Sequence, residues 1–367
     1  MNKKIILFID SLVSGGAQRQ ILMLARELSG SGFDITLLVY HDINELSYMI
    51  DEDIQYICVP KKTLSLFGFF TGIYRVFRRT QPSAIIAYLH QPSLLARILG
   101  RLAGVKKIIT SERNLDLDKS ISRYLLELMT YPLSTKIVTN AHCTRDRLIK
   151  LLPASRKKIE VIYNAVDTIA YSAITADEKR EARLQYGIPV DVFVFLLPGR
   201  IVEQKNHLAL ISAAKKISPD IDFRLVFVGN EIDLDIKHKM QVSAESTRLE
   251  SRLIFLGQQK NMREIYGLSD CVVLPSLWEG LPNVVIEAMA CERPVIASDV
   301  SDNAAILDAS SGYIFACDDI SALVISMDDI MASTNHQQNA MGASGRSIIK
   351  KICSKEVFTE KYISLIK

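Results

Sequence analysis

Near the C-terminal end of the chain two carboxylates stand eight residues apart, Glu279 and Glu287, in the string Leu277-Trp278-Glu279-Gly280-Leu281-Pro282-Asn283-Val284-Val285-Ile286-Glu287. An apolar run, Cys271–Leu274, leads into them. Pro282 falls where a helix would begin, at a position whose N–H is unpaired in any case. A glycine turn followed by a helix N-terminus aims free backbone N–H groups and the positive end of a dipole at one point, which suits an anion such as a diphosphate. Carboxylates beside such a point repel phosphate but accept hydrogen bonds from hydroxyls. The combination suggests a nucleotide-sugar: the backbone from Gly280 and Leu281 through Asn283 and Val284 for the diphosphate, Glu287 for a ribose and Glu279 for a hexose. Two Glu residues around one helix start are also common as plain capping charges, so the spacing by itself is a weak pointer. A second pair supports the same chemistry. Arg200 and Lys205 stand five residues apart after the apolar run Val192–Leu197 and Gly199. A guanidinium can fork across phosphate oxygens while an ammonium acts as a point charge, so together they can neutralise one diphosphate.

The first half of the chain holds further candidates. Gly15 and Gly16 follow the first apolar run and open a helical pattern, where missing side chains let backbone approach an anion. An ordinary strand-to-helix turn reads the same way, and the spacing is not that of the dinucleotide fingerprint. His90 closes the run Ala84–Leu89, and Ser111, Glu112, Arg113 and Asn114 close the next. A lone His is more often structural than functional, and a Glu-Arg pair can be a simple ion pair. Between Leu64 and Arg79 lie Phe67, Phe69, Phe70, Tyr74 and Phe77, then Arg78 and Arg79. This stretch reads either as a sheet-covering helix with a basic last turn or as a surface for an anionic membrane.

Such residues need elements to hold them. Short, continuous apolar runs alternate with amphipathic segments throughout: Ile5–Ile9, Ile35–Val39, Ile54–Val59, Ala84–Ala87, Lys107–Thr110, Lys136–Thr139 and Ile159–Ile162, then Val192–Leu197, Arg224–Val228, Leu253–Leu256, Cys271–Leu274 and Pro294–Ala297. Strands without polar alternation belong to parallel sheets covered on both faces. A chain of 367 residues suits two such domains. The expected division is residues 1–167 and 168–354, with polar, Ala-rich residues 168–190 as a linker. Residues 355–367 form a terminal amphipathic helix. Asp10 cuts short the first apolar run, so the N-terminus reads as a buried strand and not a leader. The six cysteines show no paired spacing and read as reduced thiols. Residues 1–167 carry 23 Lys and Arg against 15 Asp and Glu, and the remainder 21 against 26. A basic first half suggests an anionic partner. No aromatic-basic RNA motif or zinc-finger spacing points to nucleic acid.

Taken in order from residue 5 to about residue 317, these strings resemble the retaining glycosyltransferases of family 4, which have the GT-B fold: two doubly wound Rossmann-like domains facing a central cleft. The Glu279–Glu287 segment resembles their E-x7-E region. Gly199, Arg200, Lys205 and Asn206 resemble their G-R-x-x-x-x-K-N donor site. Gly15 and Gly16 resemble a G-G-A-E-R string in which Gln18 replaces the acid. Leu89-His90-Gln91-Pro92 is similar to an acceptor-facing H-x-H-E-P segment, with Gln91 in place of the acid, and Tyr163–Asp167 to an N-G-V-D hinge string with Ala165 for Gly. The resemblance implies a hexosyl- or N-acetylhexosaminyltransferase moving a sugar from a UDP-sugar to a growing bacterial surface glycan or undecaprenyl-diphosphate-linked oligosaccharide. Arg200, Lys205 and Glu279 would be catalytic. Gly15, Gly16, Gly199, Gln258, Gly280, Leu281, Pro282, Asn283, Val284 and Glu287 would complete the donor site. His90, Ser111, Glu112, Arg113 and Asn114 would meet the acceptor. The final helix would cross back onto the first domain. No cofactor and no metal are assigned, and the D-x-D spacings at Asp116/Asp118 and Asp233/Asp235 read as surface acids. The expected location is cytoplasmic, against the inner face of the plasma membrane. A sugar-nucleotide epimerase or phosphorylase on the same fold, or a non-catalytic nucleotide-sugar-binding protein, is the alternative.

Overall fold

Ile5, Ile6, Leu7 and Phe8 expose no surface, and a strand buried on both faces must lie inside a sheet with cover on each side. The computed structural model describes residues 3–113, 121–245 and 249–367. It divides into two compact units, Met1–Ala165 with Lys355–Lys367 and Val166–Ser354. The first holds strands β1 (Lys4–Phe8), β2 (Asp34–Val39), β3 (Gln55–Cys58), β4 (Ala84–Tyr88), β5 (Lys107–Glu112), β6 (Lys136–Thr139) and β7 (Ile159–Val161), in the spatial order β3-β2-β1-β4-β5-β6-β7. The second holds β8 (Phe193–Pro198), β9 (Phe223–Val228), β10 (Leu253–Phe255), β11 (Cys271–Leu274), β12 (Val295–Ser298) and β13 (Gly312–Phe315), in the order β10-β9-β8-β11-β12-β13. Every pairing is parallel. Strand order therefore reverses between β1 and β4 in one sheet and between β8 and β11 in the other. In open α/β sheets the crevice beyond the strand ends at such a reversal is where ligands bind.

The helix Lys355–Ile366 completes the first unit. Phe358, Tyr362 and Ile366 join the core built around Ile5, Leu7 and Ile35, and Tyr88 donates its hydroxyl hydrogen to Tyr362 Oη at 2.9 Å. Two expectations are corrected. Residues 168–190 are not a free linker: they contain the helix Ala176–Gln185, opened by a reciprocal Thr175–Glu178 capping box and built into the second unit. Its inner face is charged, with Arg183 and Lys179 both on Asp270 at 2.7 and 2.5 Å, so an apolar-periodicity reading passes over it. The strand β13 was also not among the expected runs. It has four residues, two of them half-buried at the sheet edge. A Cβ at Gly312 would meet the carbonyl oxygen of Val295 at 2.0 Å, so this edge pairing requires glycine.

Candidate active site

In the second unit the charged residues gather at the strand-order reversal. Gly199 and Arg200 follow β8, and Glu279 follows β11, its neighbour across that reversal. The backbone is drawn together there: Gly199 N donates to Val228 O at 2.7 Å and Gly229 N to Gly257 O at 2.9 Å. Gly229 has φ 149°, and a Cβ on it would sit 2.1 Å from the Gly199 carbonyl oxygen. Gln258, next to Gly257, is exposed at this same edge.

Lys205 and Glu279 are partners. Nζ of Lys205 lies 2.5 Å from Oε1 of Glu279, with the two side chains 13% and 8% exposed. Ser276 Oγ donates to the same oxygen at 2.7 Å, and Gln204 Nε2 donates to the other at 3.2 Å. Gln204 also binds Trp278 O through its side chain and Leu277 N through its carbonyl, so it ties the loop after β8 to the loop after β11. A buried carboxylate with three donors is held firmly, and it holds the ammonium in turn. Arg200 differs: it is exposed, and no side-chain partner engages it among the described residues.

Behind Lys205 the ring of His207 is buried, 5.9 Å from Phe227, and neither ring nitrogen has a hydrogen-bond partner. Burial, and then the charge of Lys205, push its pKa down to about 4, so the ring is neutral. Asn206, at φ 50°, makes the turn between them.

Glu287 lies inside the helix Asn283–Ala290. Pro282 is the residue before this helix and not its first turn, a shift of one position from expectation. Its ring and Leu281 are buried, while Asn283 and Val284 are partly open. Ser301 donates to the Gly280 carbonyl and pins the turn. Tyr266, fully buried, donates to Glu287 Oε2 at 2.8 Å. Burial and then the Glu287 charge hold the Tyr266 hydroxyl well above its usual range, so it remains a donor.

The first unit has its own cluster at the β1–β4 reversal. Gly15 caps the helix Gly16–Gly30 without a side-chain bond. Gln18 is buried with Nε2 3.5 Å from Asp10 Oδ1. An acid at position 18 would set two carboxylates face to face, which accounts for the amide. Strand β4 stops at Tyr88, and His90 opens the next helix after Leu89 at φ 72°, so His90 starts a helix where a strand end was expected. Nδ1 of His90 lies 2.6 Å from Glu127 Oε1. Ser111 and Arg113 turn inward. Arg113 stacks on Tyr88 at 3.9 Å, donates to Ser111 Oγ at 3.2 Å and to Asn164 Oδ1 at 2.6 Å. Glu112 meets the fully buried Arg97 at 3.3 Å. Ala165 is held by Gln20 at both its N–H and its carbonyl, each at 2.7 Å, and has no positive φ. Asn114, Asp116 and Asp118 lie outside the described residues. Asp233 accepts from Ile236 N at 3.1 Å, at the start of the helix Leu234–Glu245.

Sequence reasoning missed Gln204, Ser276, Tyr266 and Glu127. Gln204 sits within the recognised Gly199–Asn206 string and Ser276 immediately before the Leu277–Glu287 string, so both could have been found there. Tyr266 and Glu127 lie in helices far along the chain, with no local pattern to mark them.

Two doubly wound parallel sheets, one in each unit, are the architecture of the GT-B fold. The chain belongs to the glycosyltransferases of the family 4 and group 1 type: the profile "Glycosyltransferase Family 4" matches residues 14–169 and "Glycosyl transferases group 1" matches residues 178–347. It is 26% identical to the UDP-Gal:alpha-D-GlcNAc-diphosphoundecaprenol alpha-1,3-galactosyltransferase of Escherichia coli, over 96% of this chain and 94% of that one. It is 26% identical to the N-acetylgalactosamine-N,N'-diacetylbacillosaminyl-diphospho-undecaprenol 4-alpha-N-acetylgalactosaminyltransferase of Campylobacter jejuni, over 81% of each. Among solved structures, Anabaena HepE in complex with UDP and glucose matches with a TM-score of 0.87 at 16% identity, covering 99% of both chains.

Proposed function

We propose that this glycosyltransferase moves a hexose or N-acetylhexosamine from a UDP-sugar to a hydroxyl of a lipid-diphosphate-linked glycan in bacterial surface-polysaccharide synthesis, with the anomeric configuration retained. The observation that carries the reading is the Lys205–Glu279 pair at the β8–β11 reversal, with Glu287 on the helix that follows. Lys205 and Arg200 neutralise the departing diphosphate, an electrostatic task that grows toward the transition state. Glu279 keeps Lys205 in register and turns toward the hexose. Glu287, anchored on Tyr266, accepts from ribose hydroxyls. The two relatives, matched over 94% and 81% of their lengths, support the acceptor class by what their names say they act on. Leu64, Leu66, Phe67 and Phe70 are exposed at and before the start of the helix Leu66–Thr80, and they supply an apolar edge for a membrane carrying such an acceptor. No helix among the described residues is long and apolar enough to cross a membrane.

The test is a panel of UDP-sugars incubated with a synthetic lipid-diphosphate monosaccharide, with the product's anomeric configuration read by NMR. An extended acceptor of retained configuration, formed equally well in excess chelator, is the expected result. Release of free or epimerised sugar without any extended acceptor overturns the reading.

A further inference from the structure

Lys61 is a cation that the donor chemistry above does not use. It follows β3, and its backbone N–H donates to Tyr40 O at 3.0 Å, just past the end of β2. Its ammonium lies 5.7 Å from the centre of the Tyr40 ring and 5.9 Å from that of Phe69. Gln91 Oε1 accepts from Lys61 Nζ at 3.4 Å and from the Tyr40 hydroxyl at 3.0 Å. Gln91 belongs to the helix after β4, so it reaches past the end of β1 to groups beyond β2 and β3. Lys61 therefore stands at the carboxyl edge of the sheet, tied to the β1–β4 reversal, where open α/β sheets bind ligands.

What holds this ammonium does not neutralise it. Aromatic faces and a carboxamide oxygen attract a cation but carry no net charge. The carboxylates next along the chain from β1 and β2 accept from neutral donors instead: Asp10 from Ser11 N at 2.7 Å, Asp42 from Asn44 Nδ2 at 2.8 Å and Glu45 from Ser14 N at 2.8 Å. Among the described residues no carboxylate pairs with Lys61. Tyr40 and Phe69 are both buried, so the rings that seat the ammonium are fixed in the core. A long side chain already held in place, without a counter-charge, is prepared for an anion.

The surroundings of Phe69 say what kind of anion. Its ring is 5.5 Å from that of Phe70, which is exposed, and Leu64, Leu66 and Phe67 are exposed at and before the start of the same helix. Charge and open apolar surface thus lie about one ring apart, which suits an amphiphile whose anionic head is joined to hydrocarbon. Free phosphate would gain nothing from the apolar side. A phospholipid headgroup offers the same phosphate chemistry, but it has no use for a cation tied to the strand-order reversal.

We propose that Lys61 binds the diphosphate of the lipid-linked acceptor, with the first lipid carbons against Phe70 and Phe67, so that the sugar beyond the diphosphate is presented at the β1–β4 reversal. The inference rests on the glycosyltransferase reading above and adds the group that recognises the acceptor's charge.

Binding and transfer test it separately. Geranyl diphosphate, a soluble prenyl diphosphate, is titrated calorimetrically into the full-length chain with UDP in excess, so that the donor diphosphate site is filled. Lys61→Gln should weaken its binding about tenfold, the worth of one charged hydrogen bond. Lys61→Arg should restore most of the affinity, and Lys62→Gln, at the exposed neighbour, should leave it unchanged. Inorganic diphosphate should bind more weakly than geranyl diphosphate. Equal binding by wild type and Lys61→Gln, or an equal loss in Lys62→Gln, overturns the proposal. In transfer, a lipid-diphosphate monosaccharide is compared with the octyl glycoside of the same sugar, which has no phosphate. The ratio of their kcat/KM values should fall about tenfold in Lys61→Gln, and an unchanged ratio overturns the proposal. Sedimentation with phosphatidylglycerol vesicles separates the two sources of phosphate. Lys61→Gln and Lys62→Gln should lose vesicle binding equally, and a larger loss in Lys61→Gln assigns the lysine to headgroups and overturns the acceptor assignment. A wild type that binds geranyl diphosphate through Lys61 but neither binds UDP nor extends any acceptor defeats the glycosyltransferase reading and upholds the diphosphate site.

Discussion

At the scale of single residues, the ion pair between Lys205 and Glu279 changes what each is expected to do. Lys205→Ala and Arg200→Ala should each lower kcat by more than they raise the donor KM, since charge on the diphosphate grows as it leaves. Roughly 2–4 kcal/mol per group is the scale of such stabilisers, and steady-state kinetics on both variants reads it directly. The two carboxylates should separate in a calorimetric titration with UDP. Glu287→Gln should weaken UDP by about 1.5–3 kcal/mol, because the hydrogen bonds lost belong to the nucleoside. Glu279→Gln should keep or tighten UDP while transfer collapses, because Lys205 loses the carboxylate that competes with phosphate. UDP binding lost in Glu279→Gln and kept in Glu287→Gln would reverse the two roles. The Glu, Arg and Lys of this site were legible in the sequence because their charges stand in turns after apolar strands. Tyr266 was not: an aromatic inside an apolar helix reads as core, and only its contact with Glu287 gives it a polar task.

At the scale of elements, strands were easier to read than what joins them. Continuous apolar runs announce parallel strands, but β13 is short and half-exposed, and the helix Ala176–Gln185 buries an ion cluster where periodicity looks for apolar residues. The helix His207–Ala214 carries a pH dependence that can be signed. His207 has a folded pKa of about 4, below its ordinary 6.5, because the ring is buried beside Lys205. Its neutral ring contributes fully above about pH 6.5. That contribution is lost as pH falls from 6.5 toward 4, where the unfolded chain takes up a proton that the folded chain refuses. The span corresponds to a loss on the order of 3 kcal/mol. Denaturant melts of wild type and His207→Gln should diverge in slope across that window and run parallel above it. Parallel curves throughout would show that the ring finds a partner or solvent that its surroundings here do not supply.

At the scale of the whole molecule, charge is divided unequally along the chain. The first 167 residues hold 23 basic against 15 acidic side chains, and the rest hold 21 against 26. The helix Leu66–Thr80 belongs to the basic part and has a buried side and an exposed apolar edge. Phe69, Ile73 and Phe77 cover the sheet, while Phe67 is 80% and Leu66 71% exposed, and Arg78 and Arg79 close the last turn. Basic residues near an anionic bilayer contribute about 1 kcal/mol each and are screened by salt, whereas inserted apolar side chains are not. The protein should therefore sediment with vesicles containing phosphatidylglycerol and not with neutral phosphatidylcholine at low salt, and release partly as salt rises. Phe67→Ser with Leu66→Ser should abolish the salt-resistant fraction and leave the salt-sensitive one, since the basic residues are untouched. Equal, negligible binding of wild type to both vesicle types would leave this face without a membrane role and would return the helix to covering the sheet alone.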